Sequence, residues 1–144
     1  LDEVLPDETR FYRLFVERVE PHLGHPEPVF LTHWPATMAS LARLHPDDPR
    51  FADRVEAYVD GVELCNGFGE LVDPVEQRAR LERDRAARVE AGLEPYPVDE
   101  RFLAALEEGL PPSGGNALGV DRLVMLAVGA ARVEEVLAVP ASRL

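Results

Sequence analysis

An Asp-Gly pair at residues 60–61 lies between two runs of β-forming residues, and it constrains the fold more than any other local feature. Residues 54–59 precede the pair and residues 62–68 follow it. A two-residue type I′ turn needs positive φ at both central residues, a conformation that Asp-Gly adopts readily. The pair therefore predicts an antiparallel β-hairpin in which Tyr58 lies opposite Glu63.

The sequence on either side of this hairpin predicts helices and further strands. The predicted elements are a helix over 7–20 with Asp7 as its N-cap, a strand over Val29–His33, a helix from the cap Asp73 to about Glu90, a helix over Asp99–Glu108, a helix entered near Asp121 and a last strand in EVLAVP, 135–140. The stretch ATMASLARL fits a short helix or an extended segment, and GLPPSGGN is predicted to be a loop. This order predicts an α+β fold, with an antiparallel β-sheet flanked by helices.

Composition excludes several classes of function. The 144 residues suit one domain, and 46% apolar residues are enough to form a core. The net charge of −12 argues against a general DNA- or RNA-binding surface, because such surfaces neutralise phosphates with many basic residues. All fifteen basic residues are Arg, so no lysine of this chain can act as a base, a nucleophile or a Schiff-base former.

Targeting signals are not visible in the sequence. No apolar run approaches the roughly 18 residues of a membrane span, and the acidic start LDEVLPDETR does not resemble a signal peptide. Cys65 is the only cysteine, which rules out an internal disulfide and fits a reducing compartment. We therefore expect a cytoplasmic protein without a membrane partner.

Two carboxylates share one face of the predicted hairpin. Residues opposite each other on paired strands, or two apart on one strand, point the same way, which groups Glu56, Tyr58 and Glu63. The two glutamates are then diagonal neighbours within reach of a shared cation, and Mg²⁺ prefers carboxylate oxygens together with substrate phosphates. The alternative is a solvated outer face, which is common in antiparallel sheets and which the pattern alone favours.

Two glycines interrupt the second strand of the hairpin, although strands usually avoid glycine. Glycine within a strand often marks a bulge or a place where a ligand approaches the backbone. One extra residue would turn Asn66, Phe68 and Glu70 onto the face that carries the two acids. We therefore predict a bulge between Cys65 and Gly69.

The stretch SGGNALGVDRLVML leads into an apolar helix that carries Asp121 and Arg122 near its start. Glycine permits close backbone approach, a helix N-terminus attracts anions through its free N–H groups, and Arg binds phosphate in a bidentate manner. The stretch lacks the Lys-Ser/Thr pair of a P-loop and the G-x-G-x-x-G spacing of dinucleotide-binding folds. A phosphate-binding site and a plain loop with a surface arginine both fit the sequence.

Several motifs resemble one known family, the class II aminoacyl-tRNA synthetases. GVDRLVML, Gly119–Leu126, looks like motif 3 of that family, and VELCNGFGELVDPVEQRARLE is similar to the signature around the lysine pocket of lysyl-tRNA synthetases. FLTHWPATMASLAR resembles the segment that precedes this signature. GGNALGVDRLVMLAVGA and RVEPHLG look closest to the paralogous ligases that attach β-lysine to elongation factor P and lack an anticodon-binding domain. The resemblance runs from about Arg10 to the C-terminus.

The resemblance assigns one group of residues to the nucleotide. Glu56 and Glu63 match the acids that hold ATP-bound Mg²⁺, and Glu63 and Leu64 are expected along the ATP. Gly119 is expected beside the adenosine. Arg122 matches the motif 3 arginine that binds the ATP phosphates, which makes it the implied catalytic residue. ATP and Mg²⁺ are the implied cofactors.

The resemblance assigns a second group to the amino acid. Asn66, Phe68 and Glu70 match lysine-pocket residues, with Glu70 facing the substrate amine. Ala117 stands where lysyl-tRNA synthetases usually carry Gly, and in the ligases an Ala there goes with a preference for β-lysine over α-lysine. The implied substrate is lysine or β-lysine, and the implied acceptor is elongation factor P. Ala117 and the acidic charge both count against tRNA.

The resemblance places motif 3 at residues 115–126, whereas motifs 1 and 2 of the family are not visible. We therefore expect residues 1–144 to be the C-terminal part of a class II catalytic domain. Its expected activity is ATP-dependent activation of lysine or β-lysine and transfer to a lysine of elongation factor P. The alternatives are a fragment of a lysyl-tRNA synthetase and a non-catalytic binding module that retains the fold. Self-association is also open, because a partial domain exposes surface that the rest would cover.

Overall fold

Four helices and four strands occur in the computed structural model, which describes residues 8–143. The helices are α1 (Glu8–Arg18), α2 (Pro74–Glu90), α3 (Glu100–Gly109) and α4 (Val120–Val128). The strands are β1 (Val29–Pro35), β2 (Phe51–Val59), β3 (Val62–Gly69) and β4 (Gly114–Leu118). Within the described residues the strands form one antiparallel sheet in the order β1-β2-β3-β4, so the predicted α+β class is confirmed. Among the same residues, no helix combines the length and the apolar character needed to cross a membrane.

The predicted two-residue hairpin is confirmed. Only Asp60 and Gly61 join β2 to β3, and their φ angles are 49° and 73°. The main chain before β1 supports this turn: Asp60 N–H donates to the carbonyl of Gly24 at 2.9 Å, and Gly61 N–H donates to that of Leu23 at 2.8 Å. Both turn amides are therefore hydrogen-bonded, which fixes the connection between the two strands.

Aspartate caps begin α2 and α3; the cap at Asp73 was predicted, and the cap at Asp99 is a finding of the structure. The Asp73 carboxylate accepts hydrogen bonds from the N–H groups of Val75 and Glu76, at 2.8 and 3.2 Å. The Asp99 carboxylate accepts two bonds of 3.0 Å from the first turn of α3. Such caps satisfy N–H groups that have no partner within the helix. The predicted cap of α1, Asp7, lies outside the described residues.

Two sequence predictions about the C-terminal third are wrong. Gly114–Asn116 belong to β4 and not to a loop, because pairing with β3 outweighs the low strand propensity of glycine and asparagine. EVLAVP contains no strand: a 3-10 helix spans Val133–Glu135, and residues 136–140 are irregular. A β-prone run does not become a strand without a neighbouring strand to pair with.

Contacts along the chain group its residues into two units. The first, here called the hairpin unit, comprises the segment up to Thr32, Val55–Gly67 and the segment from Asn116 onward. Phe15 and Tyr58 are its buried hydrophobic side chains among the described residues, and Glu56 is a buried charged one. α4 belongs to this unit and has no buried residue, although seven of its nine residues are apolar.

The second unit, here called the α2–α3 unit, comprises His33–Arg54 and Phe68–Gly115. Its buried apolar side chains come from all parts of the unit and are Trp34, Met38, Ala39, Ala42, Ala52, Leu71, Leu103 and Leu106. The stretch ATMASLARL, which fitted either a helix or an extended segment, contains a 3-10 helix at Ala36–Met38 and isolated β-bridges at Ala42 and Leu44.

Arg80 of α2 is buried in this second unit. Its guanidinium donates to the carbonyl oxygens of Ala42 at 2.7 Å and Ser40 at 3.0 Å, and it pairs with Glu76 one turn earlier. Arg80 therefore ties α2 to the ATMASLARL segment, because it supplies donors to carbonyls that lie outside regular structure.

Candidate functional site

Glu56 and Tyr58 form a buried hydrogen-bonded pair in the hairpin unit. The Tyr58 hydroxyl donates to Glu56 Oε2 at 2.6 Å, and the two residues are 1% (Tyr58) and 4% (Glu56) exposed. Burial, this hydrogen bond and nearby carboxylate charges, including that of Glu63, raise the pKa of Tyr58 well above its usual value. The predicted shared face of Glu56 and Tyr58 is confirmed, and the solvated-face alternative is wrong for Glu56.

Arg122 contacts Glu63 near the start of α4. Arg122 Nη1 donates to the main-chain carbonyl of Glu63 at 2.7 Å and lies 3.5 Å from Glu63 Oε2. Next to this contact, Gly119 N–H donates to the carbonyl of Leu64 at 2.8 Å. The structure thus brings together four residues that the resemblance assigned to the nucleotide, and we call Glu63, Leu64, Gly119 and Arg122 the Arg122 cluster.

Gly119 lies against the stem of Arg122. A Cβ at residue 119 would stand 3.2 Å from Arg122 Cδ and 3.5 Å from the Leu64 carbonyl oxygen. A larger residue would therefore press on the aliphatic part of the arginine. The side chains of Arg122 and Glu63 are 49% and 32% exposed, so both charges are accessible to a ligand from solvent.

β3 and β4 pair without a shift in register. The hydrogen bond from Gly119 N–H to Leu64 and that from Glu70 N–H to Ser113 are separated by the same number of residues on each strand. β3 therefore has no extra residue relative to β4 in this interval, and the predicted bulge is wrong on the side that faces β4. The physical reason is that Gly69 provides space for the side chains of Arg43 and Asp53 and does not mark an inserted residue.

Asn66 and Ala117 are neighbours in this register. Because Gly119 pairs with Leu64 in an antiparallel ladder, Ala117 lies opposite Asn66 in the hairpin unit. Asn66 is partly buried and Ala117 is exposed. Two of the four residues assigned to the amino acid are thus brought together on paired strands.

Phe68 and Glu70, the other two residues assigned to the amino acid, lie in the α2–α3 unit, where both are partly buried. Glu70 N–H donates to the carbonyl of Ser113 at 3.0 Å, and Ala42 forms an antiparallel bridge with Glu70 from the other side. The Glu70 carboxylate lies over Gly115, in the place that a Cβ at residue 115 would require.

Gly69 gives room to an ion pair in the same unit. Arg43 and Asp53 are joined by contacts of 2.8 and 2.9 Å, and a Cβ at residue 69 would collide with both side chains. Arg43 also binds the strand itself, because its N–H donates to the Gly69 carbonyl at 2.8 Å. The glycine that suggested a bulge therefore permits a close approach of side chains.

Glu56 and Glu63 are the two carboxylates predicted to hold a magnesium ion. Among residues 8–143, no group of three or more His, Cys, Asp or Glu side chains could hold a metal ion. Glu56 and Glu63 fit a site in which substrate phosphates and water complete the coordination, which is how Mg²⁺ is commonly bound beside nucleotides. Their carboxylates supply oxygen donors, and both act electrostatically on the Tyr58 hydroxyl.

Two contacts of this region are not evident from the sequence alone. The spacing of Glu56 and Tyr58 predicts that the two side chains share one face of the hairpin. It does not predict the hydrogen bond between them. Gly115 counts in the sequence only as one glycine of a glycine-rich stretch. Its contact with Glu70 follows from strand pairing between segments more than forty positions apart and had no local signal.

Comparison with known proteins identifies one family and a group of similar relatives. A family model described as tRNA synthetases class II (D, K and N) matches residues 13–143. The elongation factor P–(R)-β-lysine ligase of Proteus mirabilis (strain HI4320) is 55% identical over 136 residues, which cover 94% of this chain and 42% of the relative. The proteins of the same name from Edwardsiella ictaluri (strain 93-146) and Vibrio vulnificus (strain YJ016) are 53% and 48% identical, and 42% and 41% of their lengths are covered, against 94% and 92% of this chain. The chain spans about two fifths of the length of the curated relatives it matches.

Proposed function

Because this chain belongs to the family of class II tRNA synthetases of the D, K and N type, we propose that it forms part of an ATP-dependent ligase that activates lysine or β-lysine. The acceptor in this proposal is a lysine of elongation factor P, since the similar ligases carry that acceptor in their names. The observation that carries the proposal is the Arg122 cluster, in which a half-exposed arginine lies beside a carboxylate at the start of a helix. We assign residues 115–126 as motif 3 and the chain as part of one catalytic domain.

In this proposal the Arg122 cluster binds ATP. Arg122 offers its guanidinium to the phosphates, and the N–H groups at the start of α4 add positive potential for an anion. Gly119 and Leu64 border the nucleotide, where the absence of a side chain at residue 119 allows close approach. Mg²⁺, when bound to Glu56 and Glu63, supplies positive charge to the phosphates.

Asn66, Phe68, Glu70 and Ala117 bind the amino acid in this proposal. The Glu70 carboxylate faces the amine of lysine or β-lysine, and a partly buried carboxylate left without a partner penalises substrates that lack this amine. Ala117 adds a methyl group where a glycine would leave space, which favours β-lysine over α-lysine. Selection therefore depends on one charge and one small change in shape.

The proposed reaction has two steps. A carboxylate oxygen of the substrate attacks the α-phosphorus of ATP; an acyl–phosphate bond forms, the bond to the bridging oxygen breaks and pyrophosphate leaves. A lysine amine of elongation factor P then attacks the acyl carbon; an amide forms, AMP leaves with the bonding electrons and the amine loses a proton. Arg122 stabilises the negative charge on the phosphates, so its contribution is electrostatic and positional.

The cellular location and the partners of the protein are also part of this proposal. We place the protein in the cytoplasm, because Cys65 is the only cysteine and a lone thiol suits a reducing compartment. The net charge of −12 disfavours DNA and tRNA as partners. Self-association through the exposed apolar residues of α4 stays a prediction, and sedimentation velocity over a range of concentrations measures it.

Isotope exchange between pyrophosphate and ATP tests the activity. The assay uses this chain and a chimera in which it replaces the 136 matching residues of the Proteus mirabilis ligase. We expect the chimera to catalyse exchange that depends on lysine or β-lysine and to transfer the amino acid to elongation factor P. Arg122→Ala in the chimera is expected to lower the exchange rate by about 10²-fold or more.

The results of these assays distinguish the proposed ligase from a lysyl-tRNA synthetase fragment and from a non-catalytic binding module. A folded chimera that shows no exchange with either amino acid contradicts the proposal. Aminoacylation of tRNA in preference to elongation factor P identifies a lysyl-tRNA synthetase fragment. Binding of ATP and lysine without exchange, in a chimera whose circular dichroism matches that of the parent ligase, identifies a non-catalytic module.

A further inference from the structure

Two adjacent glycines of β4 have different surroundings. A Cβ at Gly115 would collide with Glu70 Oε1 and stand 3.6 Å from the Glu70 carboxyl carbon. A Cβ at Gly114 would meet only the carbonyl oxygen of Phe68, at the ordinary contact distance of 3.5 Å. Gly115 is not among the glycines with positive φ, so its backbone gives no reason for glycine. The space that a side chain at residue 115 would need is occupied by the Glu70 carboxylate.

The main chain of Glu70 is fixed from both sides. Its N–H donates to the carbonyl of Ser113 at 3.0 Å, and on the other side it forms an antiparallel bridge with Ala42. The following residue, Leu71, donates from its N–H to the carbonyl of Leu41 at 3.0 Å. With the backbone held, only the side-chain torsions of Glu70 can redirect its carboxylate.

We propose that Gly115 is a positioning residue for Glu70. Its missing side chain leaves the surface on which the carboxylate lies, and this surface directs the carboxylate to the substrate amine. The inference rests on the proposed function, in which Glu70 binds the amine of lysine or β-lysine. A methyl group at residue 115 displaces the carboxylate, because the fixed backbone prevents Glu70 from moving away as a whole.

The test compares four variants with the wild type: Gly115→Ala, Gly114→Ala as the matched control, Glu70→Asp, and Gly115→Ala combined with Glu70→Asp. Calorimetry measures the dissociation constants of L-lysine, (R)-β-lysine and a non-hydrolysable ATP analogue with magnesium, using the 144-residue chain and the chimera. Thermal unfolding shows whether each variant is folded.

Gly115→Ala is expected to weaken binding of the amino acid by about tenfold or more, the scale of a lost charge-assisted hydrogen bond, with the ATP analogue within about twofold of wild type. Gly114→Ala is expected to change both constants by less than about twofold. Aspartate is one methylene shorter than glutamate, so its carboxylate is withdrawn from residue 115. Adding Glu70→Asp to Gly115→Ala should therefore cost nothing beyond Glu70→Asp alone, an effect that a general structural role does not produce.

Equal binding of the amino acid by Gly115→Ala and the wild type overturns the positioning role. Parallel losses for the amino acid and the ATP analogue also overturn it, because they indicate a general defect. Should Gly115→Ala fail to fold, the double variant is compared with Glu70→Asp, and a further loss of about tenfold in the double variant overturns the inference. Failure of the proposed function is distinguishable, because the wild-type chimera itself then either binds neither amino acid or binds them without catalysing pyrophosphate exchange.

Discussion

The guanidinium of Arg122 donates a hydrogen bond of 2.7 Å to the main-chain carbonyl of Glu63 and lies 3.5 Å from the Glu63 carboxylate. The shorter bond goes to the backbone, so Arg122 has a contact with Glu63 that does not use the carboxylate. A cation could engage the Glu63 carboxylate while Arg122 keeps its place beside β3. One short stretch of backbone thus orients the positive and the negative group of the proposed ATP site.

Replacing Arg122 should affect ATP binding more than stability. Arg122→Ala is expected to weaken binding of an ATP analogue by about tenfold or more, because a charge-assisted phosphate contact is lost. The free energy of unfolding should fall by no more than about 1 kcal/mol, since the ion pair is half exposed. Calorimetry and urea denaturation measure the two effects. Arg132→Ala removes a more exposed arginine, 3.7 Å from Glu135, and should alter neither; equal losses in both variants would contradict the assignment.

Tyr58→Phe should destabilise the protein and flatten its response to alkaline pH. Loss of the donor to buried Glu56 is expected to cost about 1–3 kcal/mol of unfolding free energy. The pKa of Tyr58 is raised in the folded state, so its stabilising contribution is complete below the unfolded pKa of about 10 and declines as pH rises above it. Urea denaturation from pH 8 to 11 should show a steeper loss for the wild type than for Tyr58→Phe.

The control for this prediction is Tyr96→Phe, which alters a tyrosine that is 66% exposed. It should leave the unfolding free energy at neutral pH within about 0.5 kcal/mol of wild type and preserve the steep alkaline decline. A decline of the same slope in Tyr58→Phe and wild type would show that another group governs the alkaline limb.

Arg80→Ala should cost about 2–3 kcal/mol of unfolding free energy. The carbonyl of fully buried Ala42 would lose its bond from Arg80, and a buried acceptor without a partner is unfavourable. Urea denaturation with an unchanged m-value measures this loss. Arg83→Ala changes an exposed arginine on the same helix and should stay within about 0.5 kcal/mol. Equal free energies of unfolding for the two variants would show that the hydrogen bonds from Arg80 to the ATMASLARL segment contribute no net stability.

Gly61→Ala should destabilise the hairpin by about 1–2 kcal/mol, the cost of a left-handed conformation for an ordinary residue. Space is not the cause, because a Cβ there would lie 3.5 Å from His25 Nε2 and from the Pro21 carbonyl oxygen. Gly61→Asn should cost less, since asparagine enters this conformation more readily. Thermal unfolding of both variants measures the difference, and an asparagine variant less stable than the alanine variant would point to a steric cause.

Features set by local rules were predictable from the sequence. The Asp60-Gly61 turn and the cap Asp73 each depend on the conformational preference of a few neighbouring residues. β4 and the final EVLAVP stretch were predicted wrongly, because strand formation depends on a partner strand that sequence patterning does not identify. Because β4 was not predicted as a strand, the pairing that places Asn66 opposite Ala117 could not be predicted either.

The candidate site was predictable only in part. The spacing of Glu56 and Tyr58 gave their shared face, and the family resemblance singled out Arg122. The contacts of Glu70 with Gly115 could not be foreseen, since they depend on the pairing of distant segments. The predicted bulge failed for the same reason: glycine marks a close approach, and the sequence does not say what approaches.

The bonds from the turn at Asp60 and Gly61 to residues 23–24 have a consequence for local unfolding. Amide hydrogens at the tip of a hairpin usually exchange quickly with solvent, because tips open without disturbing the rest of the fold. Here both turn amides donate to the main chain of Gly24 and Leu23, so exchange requires that segment to separate from the turn. Deuterium uptake at these two amides therefore reports the opening free energy of the chain before β1, a region far from the turn in sequence.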